Sequence, residues 1–390
     1  MSAARSPLVF LFIAVLINFM GYGMVLPLLP LYAQQHGAGA TLAGALGSVY
    51  AGMELLAGPV IGALSDRHGR RPVLLVCLAG TALACLLLGL AQSLEMIFAA
   101  IALDGLTGGN LSTAYAYVAD VSPPERRARS LGLIGAAFGL GMMAGPALGG
   151  LLAAQGLALP AFLAAGLAAA NVLFGLLVLP ESLPPERRNG AASGVVRDGL
   201  GSLGGILRLP GMGALLVGMF TLNLAFSGLQ NNFPLYSRAR FAWTPAETGV
   251  FYAFVGACAV FIQGFGYGWL HGRRSERALT RFGLLAMAVG LLAMALAPAG
   301  GWLFPAAALV ALGSGTAIPS LTALASRRAP AEAQGRLMGA TQTLLSLAMI
   351  LGPALAGVTF ELLFPGAPYL LGAALSILAA VIVSSASHNG

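Results

Sequence analysis

The chain of 390 residues is 58% hydrophobic and 8% charged, with twenty basic residues against thirteen acidic ones. A soluble globular domain carries roughly 25% charged residues, so this composition excludes one and points to a chain that lives in lipid. The net charge of +7 then concerns orientation and anionic headgroups rather than nucleic acid, since every basic residue is an arginine placed between or beside apolar runs.

A helix needs about 20 mostly apolar residues to cross a hydrocarbon core of roughly 30 Å. Taken in chain order, the apolar runs predict twelve such helices. Helix 1, at 8–32, follows Arg5 and is longer than a signal-peptide core, so it reads as a retained span. Helices 2 and 3 cover 41–64 and 73–93, separated by the charged stretch "GALSDRHGRRP" at 62–72. Helices 4, 5 and 6 follow at 95–118, 130–153 and 160–180, and the polar stretch from Glu181 to Pro210 has a linker composition. Helices 7 to 12 cover 211–235, 246–270, 278–299, 302–325, 336–360 and 366–385. With the N-terminus inside, eighteen of the twenty arginines fall in cytoplasmic segments, and only Arg238 and Arg240 remain outside. That bias predicts a multi-pass protein of the cell inner (plasma) membrane with both termini cytoplasmic.

Cys77, Cys85 and Cys258 lie inside apolar runs with no CxxC and no histidine pair nearby, so neither a metal site nor a disulfide is indicated. No P-loop, HExxH or GxSxG pattern occurs, which argues against an enzyme and against an ATP-driven pump within this chain.

The two ends of the chain repeat one another. "GPALGG" at 145–150 recurs as "GPALAG" at 352–357, and "GRR" at 69–71 recurs at 272–274. "PLY" at 30–32 recurs at 234–236, while Glu125, Arg129 and Gly132 recur as Glu332, Arg336 and Gly339. Matches in the same order at equivalent span ends predict an all-α membrane protein of two pseudo-symmetric six-helix bundles, 1–180 and 211–390, joined by a cytoplasmic linker at 181–210. Repeated halves with a substrate site between them are the architecture of secondary transporters.

At this point a family becomes recognisable. Gly62, Asp66, Arg67, Gly69, Arg70 and Arg71 fit the pattern between helices 2 and 3 of the major facilitator superfamily. "NFMGYGMVLPLLPLY" at 18–32 resembles helix 1 of the drug:proton antiporter branch, which includes tetracycline exporters. "FGLGMMAGPALGG" at 138–150, with Gly141, Gly145, Pro146 and Gly149, resembles the antiporter motif of helix 5, and "LPESL" at 179–183 resembles that branch's end of helix 6. The resemblance implies the major facilitator fold and a conformational latch in which Asp66 faces the N-terminus of helix 11 and Arg70 pairs with Asp120. The alternative is that Arg67, Arg70 and Arg71 only fix topology, a reading that leaves Asp66 without a purpose. The glycines of helix 5 form GxxxG steps, suited to close helix packing or to a hinge.

Proton antiport needs an intramembrane carboxylate able to take up and release a proton. Glu54 and Asp104 stand well inside helices 2 and 4. The chain departs from the tetracycline-exporter pattern: Asn18 stands at the helix 1 acid, Ile101 at the helix 4 arginine, and Glu54 where glutamine is usual. These substitutions predict a protonatable site moved from helix 1 to helix 2. Candidate cavity residues are Asn18, Tyr22, Asn110, Tyr115, Asn223, Gln230, Asn231 and Gln342, each of which could equally form a helix–helix hydrogen bond. The expected activity is proton-coupled efflux of small amphipathic compounds, in the manner of multidrug resistance, with the proton gradient as driving force and no cofactor. The expected partners are a small-molecule substrate, protons and the lipid bilayer, with the chain acting as a monomer. The alternative is a facilitator or proton symporter for a small metabolite such as a sugar or organic acid.

Overall fold

Lipid offers no partner to backbone N–H and C=O groups, so an apolar run that crosses it must close its own hydrogen bonds as a helix. The computed structural model describes residues 7–184, 186, 188, 204–207, 209, 211–330 and 333–385, and among these there are helices and turns but no strands. Arg5, Arg187, Arg197, Arg208 and Glu332, used above for topology and repetition, lie outside the described residues. Among the described residues, twelve helices are long and apolar enough to cross a membrane. They are α1 Leu8–Gln35, α2 Ala40–His68, α3 Arg70–Gly89, α4 Leu94–Val121, α5 Glu125–Ala153 and α6 Ala158–Val178, then α7 Met212–Phe241, α8 Pro245–His271, α9 Glu276–Leu296, α10 Gly300–Arg328, α11 Gln334–Leu362 and α12 Ala367–Ser385.

Each predicted span has its helix, and the differences at the ends have physical causes. The charged stretch at 62–72, expected as a loop, is helix on both sides of one residue. Gly69 alone makes the turn between α2 and α3 at φ +103°, a backbone region that a side chain rarely tolerates. Span α4 is broken at 107–109 into Leu94–Leu106 and Asn110–Val121. Span α7 runs through Asn231 and Asn232 to Phe241, so Arg238 and Arg240 stand in its last turn rather than in a loop. The Arg240 guanidinium there donates to the Ala295 and Ala297 carbonyls, at 2.7 and 3.1 Å. In α8 the segment Ile262–Gly266 is wound as a π-helix.

The described residues form two compact units. The first is drawn from Met1–Gly37, Val49–Ser193 and Thr244–Ala253. Its core gathers Phe10, Leu11, Leu78, Tyr117 and Ile134, all buried. Helices α1 and α5 meet backbone to backbone along Gly141, Gly145 and Gly149. A Cβ at these positions would stand 2.8 Å from the Leu16 carbonyl oxygen, 2.6 Å from that of Met20 and 2.8 Å from the Met24 Cα. The antiporter-like glycines are therefore the contact face toward α1, a close approach that only small residues allow.

The second unit is drawn from Ala38–Ser48, Gly194–Trp243 and Phe254–Gly390. Glycines again allow a close helix contact: a Cβ at Gly290 would lie 2.8 Å from the Ala306 carbonyl oxygen, and one at Gly313 2.5 Å from the Met287 nitrogen, so α9 and α10 pack closely. The first residues of α2 belong here, where the Thr41 N–H donates to Glu361 of α11 at 2.7 Å and the Ser48 hydroxyl donates to the Ile350 carbonyl.

Candidate functional site

Within the first unit, Glu54 and Asp104 are brought together by glycines on α4. A Cβ at Gly105 would stand 2.6 Å from the Tyr50 carbonyl oxygen, so α2 and α4 touch at this depth. A Cβ at Gly108 would be 3.4 Å from both the Glu54 Cγ and the Tyr50 hydroxyl. The break in α4 lies beside them. Irregular backbone at membrane depth requires replacement partners, and the Thr107 hydroxyl supplies one, donating to the Leu103 and Asp104 carbonyls at 3.0 and 3.2 Å.

A small cavity opens here, with room for about one water. Its polar lining is Asn18 and Tyr22 from α1, Tyr50 from α2, Thr81 and Cys85 from α3, and Asp104 from α4. Thr81 and Asp104 line this cavity together. The Tyr22 and Tyr50 rings lie 5.1 Å apart. Glu54 and Asp104 are near enough for their charges to interact, and among the described residues no arginine or histidine lines the cavity. An acid in such surroundings, with a second acid close by, is suited to exchanging a proton rather than to holding fixed charge.

The second constellation surrounds Gly69. Arg70 reaches Asp66 at 2.6 Å, Asp120 at 3.1 Å and the Ser65 hydroxyl at 2.8 Å. Asp120 also accepts from the Ser182 hydroxyl at 3.3 Å. The first N–H groups of α3, which no helix can satisfy internally, donate to Glu181: Arg70 N at 2.8 Å and Arg71 N at 3.2 Å. The same carboxylate accepts from the backbone of Ser182 and Leu183, both at 3.0 Å. An acid at a helix N-terminus is favoured by the helix dipole as well as by these bonds. Arg67 is exposed beyond this cluster, Gly62 lies on α2 in open surroundings, and the Arg71 guanidinium donates to the Leu176 carbonyl at 2.7 Å.

The remaining candidates are divided between the two units. Tyr115 is half-buried against the core of the first unit. Asn110 begins the second segment of α4, and its side chain lies outside the described residues. In the second unit the Asn223 amide donates to Met219 at 2.7 Å and that of Asn231 to Ser227 at 3.1 Å, both bonds to their own helix. Gln230 is half-buried and Gln342 is exposed on α11. Pro146 packs its ring against Gly23 of α1. Sequence reasoning did not single out Tyr50, Thr81, Cys85 or Glu181. A signal existed for the first three: Tyr50 lies one turn before Glu54, and Thr81 and Cys85 share one face of α3.

The chain's relatives fit this geometry. The profile of the Major Facilitator Superfamily matches residues 11–353. The tetracycline resistance protein, class C, of Escherichia coli is 33% identical over 370 residues, covering 93% of each chain. The class G protein of Vibrio anguillarum is 34% identical over 352 residues, covering 90% of this chain and 89% of its own. The crystal structure of the human organic anion transporter MFSD10 (TETRAN) superposes with a TM-score of 0.71 at 25% identity, covering 98% of this chain and all of that one. Twelve apolar helices, a family match along most of their length and relatives that are transporters rather than enzymes lead to one conclusion: this chain is a multi-pass membrane transporter of the Major Facilitator Superfamily.

Proposed function

We propose that the protein is a proton-coupled exporter of small amphipathic compounds, with tetracycline-like drugs the first class to test. The observation that carries this reading is Asp104 in a small polar niche that, among the described residues, no cation lines, with Glu54 near enough for the two charges to interact. Asn18 occupies that niche where the antiporter pattern has an acid, so the proton-carrying group sits on α2 and α4 instead of α1. The niche holds about one water, whereas a drug site spans roughly 300–1,000 Å³, so it serves the proton and not the drug. The similarity to tetracycline resistance proteins supports the substrate class. In this reading the protein works as a monomer in the inner membrane with both termini cytoplasmic. Its halves, 1–180 and 211–390, alternate access around the linker at 181–210, and the proton gradient is the driving force. The latch around Gly69 and the helix 5 glycines would steady the states between which it moves.

The test is drug transport in proteoliposomes with and without an imposed pH gradient. Transport that accelerates with the gradient and consumes it supports the proposal. Transport indifferent to the gradient would point instead to a facilitator.

A further inference from the structure

Glu54 and Asp104 stand on different helices, and the groups gathered between them are hydroxyls. The Tyr50 hydroxyl and the Glu54 Cγ flank one spot on α4, each 3.4 Å from where a Cβ at Gly108 would sit. Tyr22 reaches across from α1 to the same cavity, its ring 5.1 Å from that of Tyr50, and both phenols lie within electrostatic reach of both acids. Thr81 of α3 lines the same cavity as Asp104, closing the other end of the row. A phenol in lipid carries a polar group that must find a partner, a cost that phenylalanine at the same place would avoid. Packing alone therefore does not account for two adjacent tyrosines at this point.

We propose that Tyr50 and Tyr22 relay a proton between Glu54 and Asp104, and that Thr81 is a positioning residue holding the Asp104 carboxyl toward that relay. This rests on the proton-coupled reading above. In the transfer the Glu54 carboxyl gives its proton to the Tyr50 oxygen as the Tyr50 hydroxyl proton passes to Tyr22 and that of Tyr22 passes to Asp104. Each phenol ends neutral, one O–H bond having formed as another breaks. Glu54 ends as carboxylate and Asp104 as carboxylic acid, and the reverse sequence restores them. The groups facing Asp104 are Tyr22 from α1, Tyr50 and Glu54 from α2, and Thr81 and Cys85 from α3. Helix α6 contributes only Ala164 and Ala168 to the cavity wall. Among the described residues no basic side chain lines the cavity to fix Asp104 in its charged form.

The experiment measures gradient-driven drug transport by the full chain in proteoliposomes across a range of pH. Variants are Tyr50→Phe, Tyr22→Phe, Thr81→Val and Thr81→Ser, with Glu54→Gln as the reference. Each phenylalanine variant should lower kcat about tenfold while the KM for drug stays within about twofold. Thr81→Val should move the midpoint of the pH profile, because a hydroxyl no longer supports the carboxylate, and Thr81→Ser should return it. Wild-type kcat in both phenylalanine variants overturns the relay. A Thr81→Val profile lowered in amplitude with its midpoint unmoved overturns the positioning role. If one phenylalanine variant does not fold, the other reads the same row of hydroxyls. The parent reading fails separately: wild-type coupling in Glu54→Gln would remove the proton site itself. Lost coupling in Glu54→Gln beside normal Tyr50→Phe and Tyr22→Phe overturns only the relay.

Discussion

Glu181 makes a sharp prediction because it does two separable things at the start of α3. Its carboxylate accepts the Arg70 and Arg71 N–H groups at 2.8 and 3.2 Å and ties down its own turn through Ser182 and Leu183, both at 3.0 Å. Removing a capping acceptor costs about 0.5–2 kcal/mol. The charge at a helix N-terminus contributes a further 0.3–1 kcal/mol or so, and up to about 2 where partly buried. Glu181→Ala loses both contributions, about 2–3 kcal/mol, whereas Glu181→Gln keeps an acceptor and loses the charge, about 1 kcal/mol. Hydrogen exchange read by mass spectrometry on peptides from the start of α3 measures this locally. At about 1.4 kcal/mol per tenfold, exchange there should rise roughly 30- to 150-fold for Glu181→Ala and about fivefold for Glu181→Gln. The start of α9, capped by its own Ser275, should be unaffected. Wild-type exchange in Glu181→Gln would refute the charge contribution, and equal exchange in the two variants would refute the contribution of the capping acceptor.

Gly69→Ala should lower thermal stability in detergent by more than about 2 kcal/mol, since its φ of +103° is strained for alanine and the new Cβ would meet the Glu181 carboxylate. Gly145→Val should cost at least about 1–3 kcal/mol by pushing α1 from α5, as even a Cβ would stand 2.6 Å from the Met20 carbonyl oxygen, and a melting point equal to wild type would contradict that packing. Asp66→Asn removes an exposed i,i+4 ion pair and should change stability by only about 0.3–0.5 kcal/mol, yet slow transport several-fold. Normal rates would leave the neighbouring arginines as topology determinants alone. Arg327→Ala strands Glu276, which is 8% exposed and paired with Arg327 at 2.8 Å, and should cost about 1–3 kcal/mol, with Arg327→Lys recovering most of the melting point.

Much of the fold was legible because the bilayer imposes a coarse rule: apolar runs of the right length become helices. The repeat was legible only where residues recur as themselves. Arg70 opens α3 and pairs with Asp120 toward the end of α4, while in the second unit Glu276 opens α9 and pairs with Arg327 at the end of α10. The same staple is built twice with its charges exchanged, so a search for identical letters finds "GRR" and misses the pair. The joint at Gly69 was hidden for another reason. Charged residues read as loop by composition, yet here they cap and staple two helix ends that a single glycine joins. The break in α4 was invisible because Thr107, Gly108 and Gly109 sit in an apolar run whose hydropathy does not register a lost hydrogen bond. Of the candidate site, Asn18, Tyr22, Glu54 and Asp104 were found as single residues. Their meeting with Tyr50, Thr81 and Cys85 depends on how four helices pack, which one chain's spacing does not encode. Glu181 was seen only as part of "LPESL", because its partners at 70 and 71 are distant in sequence.

The central claim is that Glu54 and Asp104 carry the coupled proton. Drug-driven proton movement in proteoliposomes, followed with a pH-sensitive dye for the wild-type protein, Glu54→Gln and Asp104→Asn, tests it most directly. The account predicts proton movement in the wild type and its loss in both variants, with drug binding retained. Wild-type proton movement in both variants would contradict it.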